Sequence, residues 1–197
     1  MNDFSFDGIS VGFAVTASYC TFHSIFSPME TLVKKGAKVY PIFSDATLLD
    51  SRFMTAADFR DKVVEITGNT PITTIKDAEP IGPTAPYDIL VVAPCTSNTI
   101  GKLVHGITDT PVTMACKAHV RNSRPLLLAI STNDALSLSA ANIGTLLGRR
   151  HLYFVPFAQD NIIKKPRSCV ANMELIPDSI AAALKGEQIQ PILLGSQ

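Results

Sequence analysis

Residues 89–102 read Ile-Leu-Val-Val-Ala-Pro-Cys-Thr-Ser-Asn-Thr-Ile-Gly-Lys. Five apolar, mostly β-branched residues run without alternation, so both faces of the strand they form must be covered. A proline ends the run, and four hydroxyl and amide residues then crowd onto the start of a helix. The same pattern recurs on either side. Ile9–Val15 (ISVGFAV), Val39–Phe43 (VYPIF), Leu126–Ile130 (LLLAI) and Leu152–Val155 (LYFV) are further continuous runs. Pro41 places the second at a sheet edge or delays its start, since proline donates nothing to a ladder.

Helical patterns separate these runs. Ser24–Lys35 carries Ile25, Met29, Leu32 and Val33 at helical spacing and stops at Gly36. Thr55–Thr67 opens with a capping-box pattern and ends before Gly68. Asn98–His105, Pro111–Arg121, Asp134–Leu147 and Pro177–Leu184 complete the set. Strand and helix alternate about five times, which builds an α/β fold: a three-layer doubly wound parallel sheet, flavodoxin-like or Rossmann-like. The whole of 1–197 reads as one domain, with 158–173 as a candidate mobile flap. Two stretches resist the scheme: proline-rich Gly68–Pro86, with a short Ile72–Ile75 run, and Asp160–Cys169.

Composition excludes several function classes. The chain has 197 residues, 46% of them hydrophobic, with 17 basic and 17 acidic side chains, so it offers no electrostatic footprint for nucleic acid. No apolar run approaches the roughly 20 residues of a membrane span, and the acidic start Met1–Asp7 lacks a secretory signal. A soluble cytoplasmic protein is expected. Cys20, Cys95, Cys116 and Cys169 are dispersed, as are the four histidines, so reduced and mostly buried thiols are expected and no metal site.

Open parallel sheets bind ligands beyond the carboxyl ends of their strands. There the sequence places Thr16-Ala17-Ser18, Ser44-Asp45, Thr96-Ser97-Asn98-Thr99 and Ser131-Thr132-Asn133-Asp134. Each alone suits a helix cap, but polar strand ends converging on one edge suit a phosphate-bearing ligand. Neither G-x-G-x-x-G nor a Walker loop is present.

The segment Ala93–Thr113, APCTSNTIGKLVHGITDTPVT, resembles the signature of the flavin-binding cysteine decarboxylase-like flavoproteins, approximately A-P-A-[ST]-A-N-T-[IL]-[AG]-K. The resemblance implies a flavin mononucleotide (FMN) site. Thr16, Ala17 and Ser18 together with Pro94, Thr96, Ser97, Asn98 and Thr99 would hold the phosphate end, and Ser44 would lie near the ribityl chain or ring. It also implies a homo-oligomer, a trimer or a multiple of one, because flavin sites in this family form between subunits. The KKPRSCVANMELIPDSI tail points to a sporulation branch of the family. There the chain would act in the mother-cell cytoplasm with an A subunit that binds NADP, oxidising dihydrodipicolinate to dipicolinate.

Departures from the family pattern disfavour decarboxylation. Asp77–Gly82 lacks the histidine expected ahead of the third strand, and Ile130-Ser131-Thr132-Asn133 stands where decarboxylases carry P-x-M-N. Thr132 and Asn133 are candidates for binding a substrate carboxylate, with a helix N-cap for Asp134–Leu147 as the competing reading. Lys164, Lys165 and Arg167 either pair with an anionic substrate or form a solvated loop. Cys169 is expected to be structural and His105 a helix C-terminal residue. The catalytic residues stay unassigned. Three functions remain: a redox subunit, a non-catalytic partner with a phosphate site, and a flavin-dependent decarboxylase.

Overall fold

The structure is a computed structural model and describes residues 4–195; the first three residues of the acidic N-terminal stretch lie outside it. In chain order the strands are β1 (Ser10–Val15), β2 (Lys38–Phe43), β3 (Ile89–Cys95), β4 (Leu126–Thr132), β5 (Leu152–Phe154), β6 (Phe157–Asn161) and β7 (Lys165–Ala171). The helices are α1 (Phe26–Lys34), α2 (Ala56–Thr67), α3 (Ile75–Ala78), α4 (Ile81–Thr84), α5 (Ser97–His105), α6 (Pro111–Val120), α7 (Ala140–Leu147) and α8 (Ile176–Ala183). Single 3₁₀ segments occupy Tyr19–Ile25, Asp45–Leu48 and Met173–Leu175.

Strands β2, β1, β3, β4 and β5 pair in that order and all in parallel, the doubly wound order 2-1-3-4-5. Every residue of β3 is buried, and so is all of β4 except Thr132. Because alternate side chains point to opposite faces, both faces of the sheet are covered and the architecture is three-layered. On the helical side, α1 packs with α2 and α8, while α6 packs with α3, α4 and α5.

Local chemistry sets the boundaries. Thr55 caps α2 by accepting from the Asp58 N–H, and Gly68 ends it in the left-handed conformation at φ 69°. Pro41 lies within β2 at the sheet edge, opposite Phe13. Its carbonyl and the Phe43 N–H face outward to Ile72, so the missing proline N–H also falls on the outer side.

The structure corrects four readings. Pro94 does not stop β3, which runs on to Cys95 through a register shift against β4. The 24–35 helix is 3₁₀ up to Ile25 and α-helical only from Phe26. The 134–147 helix shrinks to Ala140–Leu147, because Asp134 organises the preceding six residues as turns. Asp160–Cys169 is no irregular loop but most of a β-hairpin, β6–β7. That hairpin has a decisive position. The first half of β4 pairs with β5 in parallel, and its last residues, Ser131 and Thr132, pair with Val170 and Cys169 of β7 antiparallel. The hairpin thus extends the sheet only at its carboxyl edge.

Candidate functional site

The carboxyl ends of β1, β3 and β4 are stitched together by hydroxyl groups. Thr16 is buried and donates to the Pro94 carbonyl at 2.7 Å while accepting from the Thr96 N–H at 3.2 Å. Thr96 in turn caps α5: its hydroxyl accepts from Thr99 N–H at 3.5 Å and lies 3.2 Å from the Thr99 hydroxyl. On the other flank Ser18 and Ser131 share a hydrogen bond of 2.8 Å, and Thr21 donates to the Ser18 carbonyl at 2.8 Å. Removing the Thr16 hydroxyl as Thr16→Val would keep the shape but leave a buried carbonyl and N–H unpaired. The expected cost is about 1–3 kcal/mol, read as a lower urea midpoint at unchanged slope.

These ends open into a cavity of about 280 Å³ lined by Ala17, Ser18, Thr96, Ser97, Asn133 and Lys165, among others. Its volume is near the lower end of the roughly 300–1,000 Å³ of small-molecule sites. The sequence-expected residues separate into groups. Ala17, Ser18, Thr96, Ser97, Thr132 and Asn133 line the cavity. Thr16, Pro94 and Thr99 are buried and build its frame. The Asn98 side chain is exposed, but its N–H and that of Ser97 belong to the first turn of α5, where backbone donors have no partner within the helix.

Ser44, also expected at the site, is not among the residues lining this cavity. Its N–H donates to the Val15 carbonyl at 3.1 Å, which places it beside the end of β1. Its hydroxyl is buried with no hydrogen-bond partner among the described residues. A buried unpaired hydroxyl costs free energy unless something completes it. Free first-turn N–H groups, a rim of serine and threonine hydroxyls and the orphaned Ser44 fit a phosphate-bearing, polyhydroxylated cofactor. FMN has that chemistry.

The far wall differs. Thr132 gives its hydroxyl hydrogen to Asp134, whose other oxygen accepts from Ser139 at 3.0 Å. Thr132 therefore faces the cavity as an acceptor, whereas the exposed Asn133 side chain has no partner among the described residues. Asn133 does not cap a helix, since α7 begins only at Ala140.

Sequence reasoning passed over Cys20, Asp160 and Ser168 as lining residues, and it left Lys165 undecided. The hairpin carries the last three, and an unrecognised strand hid their common direction. Lys165 lies 3.1 Å from Asp160. Burial alone would raise the Asp160 carboxyl, but hydrogen bonds from Ser168 and Lys165 and the lysine charge hold it below the usual carboxylate range. It stays ionised and makes a poor general base.

Cys169 points away from this cavity, because Ser168 and Val170 line it and neighbouring strand residues alternate. Burial pushes its thiol up, and the nearby Asp160 charge adds to the effect, so it is an unreactive thiol at neutral pH. Cys95 and Cys116 are likewise buried and raised, while Cys20 is exposed. Among the described residues no group of three His, Cys, Asp or Glu side chains could hold a metal. No helix of the described residues is long and apolar enough to cross a membrane.

Comparison with known proteins agrees with this geometry. Residues 5–183 match the Flavoprotein family. The chain is 44% identical to the B subunit of dipicolinate synthase from Bacillus subtilis (strain 168) over 96% of each chain. The crystal structure of the dipicolinate synthase B subunit from Bacillus halodurans C superposes with a TM-score of 0.91 at 42% identity, covering 98% of this chain and 100% of that one. A structure of the FMN-dependent cysteine decarboxylase SpaF shares the fold, with a TM-score of 0.68 at 17% identity over 92% of this chain and 98% of that one. With its hydroxyl-rich strand ends and near-full-length match, the chain belongs to the Flavoprotein family, as a relative of the dipicolinate synthase B subunit.

Proposed function

We propose that the chain is the FMN-binding B subunit of a dipicolinate synthase. It acts with an NADP-binding A subunit to oxidise dihydrodipicolinate to dipicolinate during sporulation, in the mother-cell cytoplasm. The observation that carries the reading is the near-full-length similarity to the Bacillus subtilis B subunit, joined to a cavity whose donors suit a flavin nucleotide. Ser18, Ser97 and the first-turn N–H groups of α5 would hold the phosphate, and Ser44 would meet the ribityl chain. When bound, FMN supplies a two-electron acceptor, the chemistry an aromatising oxidation needs. Asn133 would orient a carboxylate of the substrate by its amide N–H, with Lys165 across the cavity. The β6–β7 hairpin would serve as the flap of a single domain, and the protein would assemble as a trimer or a multiple of one.

Decarboxylation has less support. The cavity wall offers no histidine, and its two carboxylates, Asp134 and Asp160, are both engaged in hydrogen bonds.

Reconstitution tests the reading. The chain and its A subunit, supplied with dihydrodipicolinate and NADP, are expected to form dipicolinate at least tenfold faster with FMN present than in flavin-stripped protein. Equal rates with and without flavin would contradict a redox role for this chain. Release of carbon dioxide without the A subunit would point to a decarboxylase instead.

A further inference from the structure

Five large apolar side chains are exposed around the β6–β7 hairpin. Ile162 and Ile163 form its turn, the latter 86% exposed, and Leu136 and Leu138 sit on the neighbouring loop, the latter 87% exposed. Leu193, from the C-terminal segment, is 65% exposed. Two of them are tied directly to the hairpin strands. The Leu136 N–H donates to the Arg167 carbonyl of β7 at 3.0 Å, and Leu193 pairs with Phe157 of β6. Leu136, Phe157, Cys169 and Leu193 also line a mostly apolar cavity of about 220 Å³ on the hairpin face opposite Ser168. Scattered apolar residues are ordinary on a surface; a cluster with its own cavity marks an interaction site.

We infer that this face is the docking surface for the partner A subunit, which brings an apolar side chain to the cavity and an acidic rim around it. The inference rests on the functional reading above and gives it a contact surface. Charge selects the occupant. Lys164 and Arg167 are exposed and make no ion pair among the described residues, whereas Lys165 is neutralised by Asp160. The patch thus carries two uncompensated cations, so its partner surface must be anionic.

A second copy matches poorly. The apolar groove between α5, α6 and α7 is rimmed by Lys117, Arg121 and Arg150, which would set cation against cation. The exposed segment 45–53 carries Asp45 and Asp50 beside Arg52, whose guanidinium lies over the Phe53 ring at 4.7 Å, so its rim is of mixed charge rather than acidic. Position gives docking a consequence. Asp160, Lys165 and Ser168 face the candidate site from the same hairpin, so a partner seated on its outer face would fix the wall that meets substrate.

The test is size-exclusion chromatography with light scattering on full-length chains, alone and mixed with the A subunit. The double variant Leu138→Asp/Ile163→Asp is expected to lose co-elution, a weakening of at least 100-fold, with its own mass and melting temperature unchanged. Leu49→Asp, on the distant exposed segment, is expected to bind like the wild type. Lys164→Glu/Arg167→Glu is expected to weaken binding and flatten its salt dependence. If the wild type binds and the double variant binds equally well, the docking surface is wrong while the functional reading stands. If the double variant instead changes the protein's own oligomeric mass, a second copy covers this face and the inference is overturned. If the wild type never binds the A subunit, the functional reading fails and takes the inference with it.

Discussion

Phe59→Ala is expected to destabilise the protein by about 3–5 kcal/mol and to lower Tm by roughly 6–20 °C for a chain of this size. Phe59 is buried on α2 and joins three other rings. Its centroid lies 4.4 Å from Phe22 in a stacked arrangement, 5.3 Å from Phe43 and 5.7 Å from Phe26. These rings belong to β2, to α1 and to the 3₁₀ segment after β1. Truncation would open a cavity that four elements cannot close together, so transfer and cavity costs add. Phe22 follows Thr21, which bonds the Ser18 carbonyl, so the site loop should loosen as well. Calorimetry reads the first effect. A shift of less than 1 kcal/mol would mean that the aromatic cluster is not the anchor described.

A second large effect concerns acid. His119 is fully buried on α6, and its Nε2 meets the Pro125 carbonyl at 3.0 Å. A carbonyl can only accept, so Nε2 carries the proton, and Nδ1 is left buried without a partner among the described residues. Burial pushes the imidazole down to about 4 from an ordinary 6.5; the Pro125 carbonyl pulls it upward and Arg124 downward, and Asp88 opposes Arg124. In the unfolded chain His119 takes up a proton below pH 6.5, while in the folded protein it does so only near pH 4. The unfolded state therefore binds more protons in that window, and stability falls as pH drops from about 6.5 to about 4. The loss amounts to about 3 kcal/mol. Urea midpoints measured between pH 7 and pH 4.5 should fall steeply for the wild type and more shallowly for His119→Gln. Parallel pH profiles would show that His119 is not the group responsible.

How far the sequence reveals the fold depends on the kind of signal. Strands such as Leu126–Thr132 are apolar on both faces and announce themselves by composition, and Thr55, Thr96 and Gly68 mark helix ends through local chemistry. The β6–β7 hairpin gave no such signal. Phe157–Asn161 is short and carries Gln159, Asp160 and Asn161, and Lys165–Ala171 opens with Lys165, Pro166 and Arg167, so their pairing is decided by tertiary contact with β4. The same cause hid part of the site. Thr16, Ser18, Thr96 and Ser97 could be chosen because a ligand edge follows from strand order, whereas Asp160, Lys165 and Ser168 become neighbours only once the hairpin forms. Asn133 lost its reading as a helix cap for a related reason. Asp134 collects Thr132 and Ser139, a non-helical use of the same polar residues.

In the proposed function, the hydroxyl-rich ends of β1, β3 and β4 would hold FMN by its phosphate. Titration of the apoprotein with FMN and with riboflavin, followed by visible absorption and flavin fluorescence, tests it most directly. FMN should bind at least tenfold more tightly than riboflavin, and Ser18→Ala/Ser97→Ala should weaken FMN by about 100–10,000-fold, as expected for two lost hydrogen bonds to a charged group. Riboflavin binding should stay nearly unchanged in that variant. A protein that takes up no flavin, or that binds both flavins equally and is indifferent to the two serines, would contradict the account.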